Sequence, residues 1–457
     1  MTSTKYTQPI EQSCYWLATR APRDPEPALQ GNKQCDVAIV GAGFTGLWTA
    51  HFLKQLDPKL EIAIVEQNIC GYGASGRNAG IISSSIDHSH ALAVAHFGRE
   101  DAAKLARIGH ENIRELAEFA HDCDVELSGQ LCFALTPAHL EDCHHSAAVN
   151  EELGITGSKV LSAEEARAEV NSPIYLGAGY SPGGGIINPI KLVDKLRSTA
   201  TSSGITLYEQ TKVSNISGGT ITANGGFLNA NKVVLATDAY THHLFPELLW
   251  RFIPLYDYVI VSEPLTAAQH QQIGWRNRQG ATDGRSFFNY YRLTADNRIV
   301  WGTSEAVYYP PNKVELSCDH SQRHYDELLV SFARHFPYLA DLKFPYAWGG
   351  PIASTTRLTP FFGSMENGKV IYALGYTGHG IGTTRLAGKI LAHMAIARET
   401  ELTQLKMVQK KPFPYPPEPI RSMAVKAVTR SLQQVDAGGQ PNSLLKVLDA
   451  MGLGFSS

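Results

Sequence analysis

Residues 35–40 (C-D-V-A-I-V) form a short apolar run that stops at Gly41, and the chain continues Ala42-Gly43-Phe44-Thr45-Gly46. A run of that length closed by a glycine turn reads as a buried strand. Leu47, Ala50, Phe52, Leu53 and Leu56 then recur at helical spacing, and residues 61–65 (E-I-A-I-V) form a second buried strand. Strand, tight turn, helix and strand make one βαβ unit. The three glycines act differently. Gly41 permits the turn, Gly43 lets backbone approach a pyrophosphate, and Gly46 lets helix and strand pack closely. Phe44 and Thr45 open the helix, whose free N–H groups and positive dipole end suit phosphate. Glu66 closes the second strand, where a carboxylate would accept from ribose hydroxyls and repel a 2′-phosphate; Gln67 stands beside it. The pattern predicts dinucleotide binding, with NADP disfavoured.

Residues 71–80 read G-Y-G-A-S-G-R-N-A-G. Gly73, Ala74, Ser75, Asn78, Ala79 and Gly80 would bring backbone and small polar groups to the same ligand, and Arg77 would neutralise pyrophosphate charge.

Composition limits the remaining classes. The chain has 457 residues, 43% hydrophobic and 18% charged, enough for a sizeable core or two lobes. A formal charge of −3 disfavours nucleic acid as a partner. The seven cysteines are scattered and odd in number, with no secretory segment ahead of them. Free thiols in a reducing, cytoplasmic setting are expected. No stretch is long and apolar enough to span a bilayer. The 17 histidines are dispersed or adjacent rather than at ligand spacing, so no metal is expected.

Further along, helices are expected at 91–122, 138–170, 320–335 and about 383–397, and strands at 205–216, 226–235, 252–263, 287–303 and 367–374. Residues 411–420 (K-P-F-P-Y-P-P-E-P-I) form a proline linker before a helical tail. That tail carries Lys426 and Arg430 and would dock on the body or touch a membrane surface.

The pair G-A-G-F-T-G and G-A-S-G-R-N-A-G resembles the D-amino-acid oxidase (DAO) superfamily of FAD oxidoreductases, nearest its γ-glutamylputrescine-oxidase-like and aminophosphonate-oxidoreductase-like members. The likeness extends through C-Y-W-L-A-T (14–19), G-G-G-I-I-N-P-I-K-L (183–192), Y-Y-R-L-T-A-D-N-R-I-V-W-G (290–302), W-G-G-P-I (348–352) and G-Y-T-G-H-G-I-G-T-T (375–384). It implies an α/β (α+β) two-domain chain: a glutathione-reductase-type Rossmann FAD domain and an antiparallel-sheet substrate domain. The FAD domain would comprise 33–90, 180–243 and 347–400, and the substrate domain 91–179 and 244–346. Residues 1–32 would be an arm, and 401–457 the linker and tail.

The same resemblance implies that Val213 contacts the adenine, and that Gly375, Gly378, Gly380, Gly382 and Thr383 bring backbone and a helix N-terminus to the flavin. His379, Tyr290 and Arg292 are the catalytic candidates. Tyr258, Tyr290, Arg292, Trp348 and Ile352 are candidates for substrate contact. Tyr290 and Arg292 share one face of their strand and Tyr291 takes the other. Where one branch of the family has a flavin-linking cysteine after the equivalent of Gly349-Gly350, this chain has Pro351 and Ile352, so FAD would be non-covalent. The arginine that binds substrate carboxylates in another branch is replaced by Ile352, with Arg357 the only arginine nearby. No lysine occupies Arg298-Ile299-Val300-Trp301, which leaves oxygen and a quinone both open as electron acceptor.

The implied reaction is oxidation of an amine or amino acid C–N bond by hydride transfer to flavin N5, followed by hydrolysis. A NAD-dependent dehydrogenase and a non-catalytic flavin-binding sensor are the alternatives, and the 71–80 and 375–384 glycine segments disfavour the former.

Overall fold

The computed structural model describes residues 8–450 and Leu453. Two eight-stranded sheets organise them. In the first, the path runs Phe361–Met365, Val370–Leu374, Gly226–Leu235, Gly31–Val40, Ile62–Val65 and Thr206–Tyr208. The central pairings are parallel. A parallel sheet must be covered on both faces, and alternation along its strands does this. Val37, Ile39, Ile62 and Ile64 enter one core, while Ala38, Val40, Ala63 and Val65 enter another. Helices Phe44–Leu56 and Gly380–Ala395 cross closely on the first of these faces: a Cβ on Gly388 would sit 2.6 Å from Trp48 Cβ.

The second sheet runs Tyr346–Ser354, Ile253–Val261, Ile299–Val307, Asn289–Leu293, Gly280–Asp283, Gln130–Ala134, Gly177–Ser181 and Lys159–Leu161. Every pairing is antiparallel except that of Gly280–Asp283 with Gln130–Ala134. One face carries Tyr256, Tyr258, Ile260, Tyr291 and Trp301 into an aromatic core shared with Tyr325, Leu328 and Phe332 of helix Gln322–His335.

Strand Tyr346–Ser354 pairs with Ile253–Val261 in this second sheet. The sequence boundary at 347 is therefore corrected: the chain returns to the cofactor sheet only at Phe361–Met365. The expected helix over 91–122 is two, His90–Phe97 and Arg99–Phe119, broken at Gly98 where φ is +83°. Residues 287–303 likewise form two strands, turned at Asn297 with φ +60°.

The described parts of the arm and the tail both lie on the body. In the arm, Trp16 Nε1 donates to the Asn78 carbonyl at 2.8 Å, and Arg20 pairs with Asp194 at 2.5 Å. In the tail, helix Ile420–Asp436 is tied by its ends. Arg421 donates to the carbonyls of Pro416 and Leu249 and to Asn312 Oδ1, and Asp436 accepts from the N–H groups of Ser286 and Phe287 at 2.7 and 2.9 Å. Tail docking, one of the two outcomes expected from the sequence, is what this packing shows.

Candidate active site

A cavity of about 1480 Å³ runs between the two sheets. One end is the βαβ unit. Gly41 has φ +104°, and a Cβ there would meet the Ala236 carbonyl oxygen at 2.5 Å. A Cβ on Gly46 would lie 2.0 Å from the Gly41 carbonyl oxygen, so this glycine lets the helix start against the strand and does not itself line the cavity. Gly41, Gly43, Phe44 and Thr45 do line it. Ser75 Oγ accepts from the Phe44 N–H at 2.8 Å, which locks the 71–80 loop onto the phosphate turn.

Glu66 also lines the cavity, and its carboxylate accepts from the N–H groups of Ala42 at 2.8 Å and Asn68 at 2.9 Å. Burial pushes its pKa up against these two bonds. Gln67, Gly73, Ala74, Ser75, Asn78, Ala79, Gly80 and Val213 share the lining. Asn78 braces the loop from inside, donating to the carbonyls of Ala74 and Ser75 and accepting from the Gly80 N–H.

The 375–384 segment adjoins the phosphate turn, where Thr45 Oγ1 donates to the Tyr376 hydroxyl at 2.8 Å. Gly378, His379 and Gly380 line the cavity. Gly375 has φ +84°, and its N–H donates to Asp238 Oδ1 at 3.0 Å. Asp238 lines the wall with a pKa raised by burial to about 6. The helix begins at Gly380, earlier than the sequence suggests, with His379 as its N-cap residue. Gly375, Gly382 and Thr383 stand behind the wall. Gly382 is small for a different neighbour, since a Cβ there would lie 2.6 Å from Ile113 Cδ1.

A large cavity lined by a glycine phosphate turn, a strand-end carboxylate and a helix N-terminus fits a dinucleotide. Residues 36–394 match the family model described as DAO, FAD dependent oxidoreductase. The chain belongs to that family. FAD is its cofactor, and it is an FAD-dependent oxidoreductase. Among curated relatives, the γ-glutamylputrescine oxidoreductase of Escherichia coli is 30% identical over 412 residues, covering 88% of this chain and 93% of that one. A probable oxidoreductase, OrdL, of Rhizobium meliloti is 28% identical over 422 residues, covering 90% and 94%. Among solved structures, glycine oxidase from Geobacillus kaustophilus superposes with a TM-score of 0.66 at 22% identity, covering 83% of this chain and 99% of that one, a likeness of fold.

Within this DAO-family fold the substrate candidates divide. Tyr290, Trp348 and Ile352 line the cavity. Trp348 Nε1 donates to the Arg77 carbonyl at 2.8 Å, so it joins the second sheet to the cofactor loop. Tyr258 does not line the cavity. It points to the opposite face, stacked on His324 with ring centroids 4.7 Å apart and bonded to the Cys318 carbonyl.

Arg292 is corrected as well. It shares the face of Tyr290 but is only 1% exposed, and its guanidinium donates to the carbonyls of Leu293, Gly80 and Ile187. It is a clamp behind the cofactor loop and does not line the cavity. Arg77 lines the cavity, yet its charge is met by Asp319 at 2.9 Å and its Nε donates to the Tyr72 carbonyl. Its Nη2 is buried without a partner in the structure.

The residue that sequence reasoning missed is Asp257. On strand Ile253–Val261 the side chains of Ile253, Leu255, Asp257 and Val259 line the cavity. Asp257 Oδ2 accepts from the Tyr290 hydroxyl at 2.7 Å, and its buried Oδ1 has no partner. Its directly opposed neighbour in the sheet is Gly350, whose Cβ position lies 3.3 Å from Arg77 Cδ, so the acid sits beside the cofactor loop.

Proposed function

We propose that this protein oxidises the C–N bond of an amine or amino acid to an imine that water hydrolyses to a carbonyl, with FAD held without a covalent link. The reading rests on the wall around Asp257: Leu255, Val259, Tyr290, Trp348 and Ile352 make the rest of it apolar and aromatic, with no unpaired lysine or arginine within it among the described residues. Of the four lysines and arginines among the described lining residues, Arg77 is paired with Asp319 and Arg421 is spent on backbone carbonyls and Asn312. Lys159 lies over the Tyr180 ring at 5.4 Å, and Lys212 adjoins Val213 at the adenine end. Arg357 is bound to Thr359 and to the carbonyls of Pro360, Met407 and Lys410.

Such a wall suits an amine better than a carboxylate. An ammonium has no lone pair to assist C–H loss, and removal from water favours its neutral form. FAD, held by the 41–46 and 71–80 loops, would supply a two-electron acceptor for the substrate hydrogen. The protein's own work is to hold the C–H bond against the groove and keep water away from it. The substrates named for two relatives, γ-glutamylputrescine and glycine, both carry an amine. Pro351 and Ile352 occupy the wall after Gly350, which supports a non-covalent cofactor.

The test is an anaerobic screen for flavin bleaching with polyamines, γ-glutamylated amines, aminophosphonates and secondary amino acids. Bleaching by at least one class is expected. Failure of all of them would remove the reading in favour of a flavin-binding protein without this turnover.

A further inference from the structure

We infer that Asp257 is the substrate's docking point and proton acceptor: its carboxylate binds the incoming ammonium and removes one proton before oxidation. The inference rests on the amine reading above and extends it to a named group.

The geometry carries it. Oδ1 of Asp257 is buried, unpartnered and on a cavity-lining residue, while Oδ2 is fixed by the Tyr290 hydroxyl at 2.7 Å. A buried carboxylate without a counter-ion is costly unless a cation arrives or a proton binds. Among the described residues, no resident cation fills that place. The rest of its own strand face is Ile253, Leu255 and Val259. Strand Tyr346–Ser354 presents Trp348, Gly350 and Ile352. Strand Asn289–Leu293 contributes only Tyr290 to the cavity. On strand Ile299–Val307 the titratable group is Glu305, which is engaged by Gln433 at 2.7 Å.

The short helix Asp238–His243 brings Asp238, whose oxygens are taken by the N–H groups of Gly375 and Ala353, and also Tyr240, His242 and His243. Helix Gln322–His335 meets the strand from the other side, through Tyr258 and His324. Arg77 reaches the neighbouring Gly350; its Nη1 is paired with Asp319 and its Nη2 is buried without a partner.

The proton balance is simple. One N–H bond of the ammonium breaks and one O–H bond forms on Asp257, leaving a neutral amine beside a neutral carboxylic acid. The lone pair so released is what the following C–H loss requires. Burial, opposed by the Tyr290 bond, raises the Asp257 pKa to about 7, so the acid can change state at neutral pH.

Two measurements on the FAD-loaded protein test this. In the first, tetramethylammonium is titrated while the flavin spectrum is followed, with tert-butanol as the uncharged analogue of similar shape. Wild type should bind the cation more tightly as pH rises through about 7, and Asp257→Asn should bind it at least about tenfold more weakly with no pH dependence. Tert-butanol should bind both alike. In the second, anaerobic flavin reduction by benzylamine and by putrescine is followed against pH. The ascending limb near pH 7 should move in Asp257→Asn to the amine's own ionisation, about 2–3 units higher, with activity recovered there.

Tyr290→Phe removes the donor that favours the charged carboxylate, so its limb should move up by about one unit; it serves if Asp257→Asn does not fold. Unchanged cation affinity in Asp257→Asn, or an unmoved limb in both variants, overturns the assignment. If no amine reduces the flavin, the amine reading fails, and the tetramethylammonium result alone decides whether Asp257 is a cation site.

Discussion

The imidazoles of His88 and His379 lie 4.5 Å apart, inclined by 36°, where the cavity meets the start of helix Gly380–Ala395. Burial lowers both pKa values, that of His88 to about 3, so the pair is neutral at neutral pH. His88 Nε2 lies 2.8 Å from the Thr377 carbonyl oxygen, and His379 Nδ1 has no partner. The folded state binds a proton at His88 less readily than the unfolded state. Stability should therefore fall as pH drops from about 6.5 toward 3, by up to roughly 1.4 kcal/mol per pH unit from this group. Urea midpoints measured across that window should show the slope, and His88→Gln should flatten it.

Gly43 and Gly46 separate cofactor binding from folding. A Cβ on Gly43 would lie 2.9 Å from Ser75 Oγ, a side chain that can turn aside, whereas one on Gly46 would lie 2.0 Å from a backbone oxygen. Gly43→Ala should keep native circular dichroism and lose about tenfold or more in FAD affinity, near 1.4 kcal/mol. Gly46→Ala should fail to yield folded protein. A Gly43→Ala protein with wild-type FAD affinity would contradict the placement of that glycine at the phosphates.

Arg292→Met keeps most of the volume and strips three carbonyls of their donor. A loss of about 3 kcal/mol is expected, seen as a melting temperature lowered by several degrees. FAD affinity should fall with it, because one of those carbonyls belongs to Gly80 in the cofactor loop. Arg292→Lys should recover little, since a single ammonium cannot span the fork. A variant with normal stability and a raised KM alone would return Arg292 to substrate binding.

Phe413, Ala424, Val425, Val428 and Leu432 of the linker and tail are part of the cavity wall. Removing residues 412–457 should open it. Iodide quenching of flavin fluorescence should rise severalfold in the truncated protein while the visible flavin bands persist. Unchanged quenching would show that the tail does not shield the site.

The cofactor half was legible from the sequence because its glycines are fixed by backbone geometry and its strands by uninterrupted apolar runs. The alternation of Tyr290, Tyr291 and Arg292 was legible too. What covers the Arg292 end of that face was not: Gly80 and Ile187 arrive from distant parts of the chain. Asp257 was hidden by its neighbours. In I-P-L-Y-D-Y-V-I-V the two tyrosines draw the eye, yet a lone acid with the parity of Leu255 and Val259 was the available signal. The ion pair of Arg77 was not legible, because its partner, Asp319, is 242 positions away. The strand over 346–354 was assigned to the wrong lobe because pairing partners are not written in a strand's own residues.

The DAO family match ends at residue 394, while the wall of the cavity continues through Phe413, Val428 and Leu432. Part of the enclosure around the cofactor site is thus built by polypeptide that lies outside the family match.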